Sequence, residues 1–161
     1  ALGVETVMRA YAQQYGADEE RWGMVGLLHD FDYERYPSVD EHPLKGSEIL
    51  KTLGYPEDIR YAILCHAPYL GCVRNTLMDK AILAVDELVG FLTAVALVQP
   101  TKRLADVKLS SVKKKLKDKA FARSVNREDI YLGMADLGMT LDDHITFVLN
   151  AMLPVAERLG M

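Results

Sequence analysis

The sequence predicts an all-α, compact multi-helix bundle. Three observations lead there. Apolar residues recur at helical spacing in nearly every segment, no stretch shows convincing strand alternation, and Pro and Gly fall mainly at the ends of elements. The first helix is expected from about Leu2 to Tyr15, with Gly16 as its stop. It begins without a capping residue, which reads as a helix already under way before Ala1. A second helix is expected from Glu19 to about Asp32, then a turn around Pro37 to Pro43. Leu44 to Leu53 forms a short helix closed by Gly54, and Pro56 suits the opening of the next, which ends before Pro68. Met78 to about Val98 is long and apolar. Ser110 to Phe121 is a basic helix. Glu128 to Leu137 and Leu141 to Leu159 complete the pattern, with Asn126 and Thr140 as caps.

The chain has 161 residues, half of them hydrophobic, with charges of both signs spread along it. That suits one globular domain, 1–161, with its site motifs in 1–98 and C-terminal helices 110–160 packed on it. A net charge of −4 argues against a general nucleic-acid binder. No apolar run approaches the roughly 20 residues of a membrane span. No signal-peptide pattern opens the sequence, and Cys65 and Cys72 form no CxxC. The expected setting is therefore a reducing cytoplasm, without nucleic-acid or membrane partners. The apolar face from Val89 to Leu97 is either core or the surface of a homodimer.

Five residues carry the chemistry. His29 and Asp30 stand side by side in the apolar run WGMVGLLHDFDY. Ionisable side chains in such a run must be paired, protonated or ligated. His66 follows Ile59, Ala62 and Ile63 at helical spacing and faces inward, and Asp86 shares a face with Ile82, Leu83, Val89 and Gly90. His42 lies in the polar turn SVDEHP. Each has an ordinary explanation alone: a core histidine, a surface histidine, a buried acid bonded to an amide or an arginine. Together they suggest one metal centre. Imidazole and carboxylate suit Mn, Fe, Zn, Ni or Co, and the lack of thiolate partners argues against a structural zinc site. Asp30 is the natural bridge of an ion pair spaced by about 3.5–4 Å, with His42 and His66 serving the second ion.

The order His-Asp, His, His, Asp resembles the HD-domain superfamily of metal-dependent phosphohydrolases. GLLHDFDYE matches the namesake motif, and AVDELVG matches the helix with the last aspartate. The resemblance is specific to about Val98 and looser beyond. It implies an HD-type helical bundle holding one or two divalent ions (Mn, Fe, Zn, Ni, Co or Mg). His29, Asp30 and Asp86 would hold one ion and His42 and His66 the other, with Asp30 bridging. It also implies a small phosphorylated substrate, a nucleotide being favoured, attacked by a water that the ions activate. The family carries a further histidine on its first helix. No histidine precedes His29 here, and the register places that ligand immediately before Ala1.

Other assignments stay open at this point. Asp32 and Glu34 either orient the attacking water, or act as base, or are solvated helix-end acids. Lys117 and Arg123, within the run Lys113, Lys114, Lys115, Lys117, Lys119, Arg123 and Arg127, either touch a phosphate at the pocket mouth or belong to a solvated face. Tyr33, Tyr36 and Tyr69 either line a pocket or pack against one another. The same ligands would also serve a di-iron oxygenase, and the fold alone would serve a non-catalytic ligand-binding module.

Overall fold

A computed structural model describes residues 1–161 and contains eight α-helices, four short 3-10 turns and no strand. The helices are α1 (Leu2–Tyr15), α2 (Glu19–Leu28), α3 (Leu44–Thr52), α4 (Glu57–Cys65), α5 (Leu77–Leu97), α6 (Leu109–Lys117), α7 (Arg127–Asp136) and α8 (Leu141–Met152). The expected all-α class is what the structure shows. No helix is long and apolar enough to cross a membrane.

Local chemistry sets the helix starts. The Asp18 carboxylate accepts the N–H groups of Glu20 and Arg21 at the head of α2, Asn126 accepts that of Glu128 in α7, and Thr140 accepts that of Asp143 in α8. Thr76 and Asp79 form a reciprocal capping box that starts α5. At the other end of α1, Gly16 turns the chain with φ 64°, and its N–H returns to the last turn.

α5 is the axis of the bundle. It is buried nearly all round and packs against α1, α2, α4, α6, α7 and α8. Ile82, Leu88, Phe91 and Leu92 join a continuous core with Val7, Met8 and Tyr11 of α1, Ile59 and Ile63 of α4, and Ile145 and Val148 of α8. Each such side chain contributes about 1.5–3 kcal/mol of burial. Two glycines let backbones meet. A Cβ on Gly26 would lie 2.8 Å from Glu5 Cα, and one on Gly133 would lie 2.3 Å from Ala84 Cα. The first contact presses α2 on α1. The second seats α7 directly on α5.

Three helices end earlier than their pattern predicts. α2 stops at Leu28, and residues 29–35 continue as turns, so the His-Asp pair lies at a helix end rather than inside a helix. The basic helix stops at Lys117. Arg127 takes the carbonyls of Leu116 and Asp118 there, and those of Phe121, Ala122 and Val125 in the following loop. α8 stops at Met152, because Pro154 has no N–H to continue the ladder, and two 3-10 turns follow.

His144 is a buried residue with no counterpart in the sequence reading. Its Nε2 donates to Ala84 O at 2.8 Å, so Nδ1 accepts from Tyr11 Oη at 2.6 Å. Burial lowers its pKa below the ordinary histidine value, against the smaller opposing pull of Ala84 O. Tyr11→Phe strands the Nδ1 lone pair and is expected to cost about 1–3 kcal/mol in urea unfolding. The unfolded chain takes up a proton at His144 before the folded one does. Stability is therefore expected to decline as pH falls below about 6.5, and His144→Gln should flatten that slope.

Candidate metal centre

The ends of α2, α4 and the 29–43 turns converge on one side of α5. His29 caps α2 and donates from Nδ1 to Gly26 O at 2.8 Å. His66 caps α4 and donates from Nδ1 to Ile63 O at 2.5 Å. His42 donates from Nδ1 to Asp32 Oδ1 at 2.7 Å. All three rings are buried. Each Nδ1 is thus used outward, and each Nε2 is turned inward as a lone-pair donor.

Asp30 stands where the three Nε2 atoms meet. Its Oδ2 is 3.4 Å from His29 Nε2, while its Oδ1 is 3.2 Å from His42 Nε2 and 3.4 Å from His66 Nε2. Asp86, from α5, places Oδ1 3.1 Å from His29 Nε2. Two triads result, His29–Asp30–Asp86 and Asp30–His42–His66, each with donor atoms close enough to hold one ion. Asp30 belongs to both. His42 Nε2 and His66 Nε2 lie 3.2 Å apart. With both protons on Nδ1, two lone pairs face each other across that gap. A shared cation resolves the conflict, so this donor set fits a divalent metal.

The electrostatics fit the same reading. Burial opposes a charge on His29, but the Asp30 and Asp86 carboxylates outweigh it and hold its pKa up at about 10. Burial likewise opposes ionisation of Asp30 and Asp86. His29 and His66 beside Asp30, and chiefly His29 beside Asp86, keep both carboxyls below the ordinary range. In the ion-free protein a proton on His29 takes the place of a cation.

Asp32 is not a solvated helix-end acid, and it does not face the reacting space. It is 3% exposed. Its Oδ1 accepts from His42 and its Oδ2 accepts from Gly46 N–H at 2.7 Å. A side chain at position 46 would collide with this carboxylate. Both oxygens are committed, so Asp32 positions His42 and cannot act as the base. Glu34 is exposed and lines no part of the site.

A cleft of about 480 Å³ opens over the two triads. Tyr33 and Tyr69 line it, with Tyr33 edge-on to the His42 ring and Tyr69 Oη donating to His42 O at 2.7 Å. Tyr36 packs under Arg35 instead. Lys117 and Arg123 do not reach this cleft, and its wall contains no Lys or Arg. Lys117 lies on the outer face of α6, beside Lys113 and Lys114. The far wall is made by Glu87, Gly90, Asn126 and Asp129. Burial, aided by Asp86, pushes the Glu87 carboxyl up to about 7. Asn126 N–H donates to Glu87 Oε2 at 3.1 Å, joining the 118–126 loop to α5. From local pattern Asn126 reads only as a helix cap. Its second role depends on α7 docking at Gly133, which no local pattern reveals. A roomier groove of about 660 Å³ lies elsewhere, between Tyr15, Trp22, Tyr61 and Met78. Of its three acids, Asp58 is taken by Arg21 and Asp79 by the α5 cap, which leaves Glu57 alone and no ligating set.

Two outcomes follow from this geometry. Asp32→Asn is expected to weaken divalent-ion binding about 10–100-fold while leaving the helical circular dichroism intact, as read by calorimetric titration with Mn²⁺. Binding must also displace the His29 proton. Ion affinity is therefore expected to rise by up to about tenfold per pH unit between pH 6.5 and 8.5, with proton release visible in buffers of different ionisation enthalpy.

One comparison with known proteins gives a match. No curated protein and no solved structure gives a match to this chain. The family model described as HD domain matches residues 1–71, a segment that contains His29, Asp30, His42 and His66 and ends before Asp86. Over that segment the chain is similar to the HD-domain superfamily, whose members are generally metal-dependent hydrolases.

Proposed function

We propose that this protein is a metal-dependent phosphohydrolase acting on a small phosphorylated metabolite, a nucleotide being the favoured class. The observation that carries the reading is the facing pair of Nε2 atoms on His42 and His66, with Asp30 shared between them and His29. Divalent ions held by these donors supply electrophilic polarisation of a phosphoryl group and of the attacking water.

The chain's own residues then have distinct tasks. Asp30 presents one oxygen to each triad and so fixes their spacing. His29 and Asp86 complete one triad, and His42 and His66 complete the other. Asp32 and the Gly46 N–H lock the His42 ring. Tyr69 holds the backbone at His42, and the rings of Tyr33 and Tyr69 narrow the access of bulk water. Lys117 and Arg123 have no place in this scheme, nor does Glu34. Since residues of α1 to α8 share one core, the whole chain is taken to act as one unit.

The test is hydrolysis of a panel of phosphomonoesters and phosphodiesters by the protein loaded with Mn²⁺, Co²⁺ or Mg²⁺. Asp30→Ala is expected to lose at least about a hundredfold in rate together with bound metal, with the helical signal retained. Unchanged turnover in that variant overturns the reading. So does iron in the purified protein with oxygen consumption and no phosphate release.

A further inference from the structure

Ten of the eleven glycines have a reason inside the chain. Gly16, Gly54, Gly71, Gly138 and Gly160 adopt positive φ. Gly3, Gly23, Gly26, Gly46 and Gly133 lie inside helices, where a Cβ would come within 2.8 Å of Val89, Arg9, Glu5, Asp32 and Ala84 respectively. Gly90 has neither reason. Its backbone is ordinary helix in the middle of α5, and a Cβ built there meets nothing within 4 Å. A glycine in a helix interior costs about 1 kcal/mol relative to alanine. Nothing in the fold offsets that cost.

The place of Gly90 supplies the reason. It lies one helical turn beyond Asp86 and lines the cleft over the two triads. Glu87 on the same helix and Asp129 on α7 flank it. The Asn126 side chain is consumed by Glu128 N–H and Asp129 Oδ2, and its backbone N–H by Glu87 Oε2. Glu87 Oε1 and Asp129 Oδ1 have no protein donor. The open strip beside Gly90 is thus bounded by hydrogen-bond acceptors and carries no cation.

We propose that Gly90 is a specificity-determining residue. It is kept free of a side chain because the organic part of a phosphomonoester lies across α5 there, with Glu87 and Asp129 accepting its hydroxyl or amino donors. This rests on the phosphohydrolase reading and narrows it. The phosphoryl group goes to the His/Asp triads. A sugar-like or nucleoside-like moiety goes over Gly90, and the acidic wall disfavours additional phosphates.

The experiment compares wild type, Gly90→Ala and Gly90→Leu, all loaded with Mn²⁺. The substrates are a nucleoside 5′-monophosphate, a sugar phosphate, the nucleoside 5′-triphosphate and p-nitrophenyl phosphate. Melting temperature and metal content are measured on the same samples. Gly90→Ala should melt no lower than wild type, which shows that the fold does not require glycine. Gly90→Leu should raise KM for the hydroxyl-bearing monophosphates at least tenfold at unchanged metal content, with Gly90→Ala between the two. Glu87→Gln with Asp129→Asn should raise the turnover of triphosphate relative to monophosphate. Equal kcat/KM in wild type and Gly90→Leu overturns the proposal, as does a wild-type preference for the triphosphate. A Gly90→Ala variant that melts lower assigns the glycine to the fold and overturns it too. If wild type hydrolyses no phosphoester at all, the phosphohydrolase reading fails and takes this one with it. Hydrolysis indifferent to position 90 removes only this one.

Discussion

Three imidazoles, each held at Nδ1 by an acceptor behind it, leave their Nε2 lone pairs nowhere to go but toward Asp30. This constraint organises the rest. Gly26 O, Ile63 O and Asp32 Oδ1 are not free to rotate away, since two are helix carbonyls and the third is pinned by Gly46 N–H. The rings therefore cannot relieve their mutual repulsion by flipping. A buried cluster of this kind is unfavourable unless a proton or a cation compensates it. The raised pKa of His29 is the proton solution, and a divalent ion is the stronger one.

The scaffold serves that cluster by ending helices at the right places. His29 and His66 both sit at helix C-termini, where the last turn's carbonyls lack intrahelical donors. Gly26 O receives the Nδ1–H of His29, and Ile63 O receives the Nδ1–H of His66 beside the backbone N–H of the same residue. The same bond caps the helix and aims the ligand. α5 passes beneath with Asp86, and its close contact with α7 brings Asn126 and Asp129 to the opposite wall. Arg127 gathers the carbonyls of the 116–125 segment and lies against Phe91 of α5. A residue that reads as one more member of a basic run is in fact what holds the rim of the cleft.

The helical class and the number of major helices were legible because apolar periodicity and caps are local properties. The five clustered residues were legible for a related reason, since ionisable side chains on apolar faces demand partners wherever they end up. What the sequence could not yield depends on distant segments meeting. Asp32 looks like a helix-end acid until α2 stops four residues early and turns it toward His42. Lys117 and Arg123 can be read as phosphate contacts or as a solvated face until the cleft is seen to be lined by neither. Gly90 looks like any helical glycine until its neighbours are known and found to leave it empty.

Charge sets an order on events at this site. Asp30, Asp86, Glu87 and Asp129 line the cleft, with no lysine or arginine among them. Even with a proton on His29 and with Glu87 partly protonated near pH 7, Asp30, Asp86 and Asp129 leave the ion-free cleft net negative, so an approaching phosphate dianion meets like charge at close range, where the effective dielectric is well below that of water and salt screens poorly. The same carboxylates attract divalent cations. On the phosphohydrolase reading, substrate affinity is therefore conditional on prior ion binding, whereas a lysine-lined pocket would hold phosphate with or without ions. The basic face of α6 does not alter this, because Lys113, Lys114 and Lys117 border a depression of their own. A cleft that repels phosphate until it is loaded would leave the protein indifferent to phosphorylated metabolites whenever its ions are absent. On that reading ion occupancy, not substrate concentration, is the first determinant of whether the site is engaged.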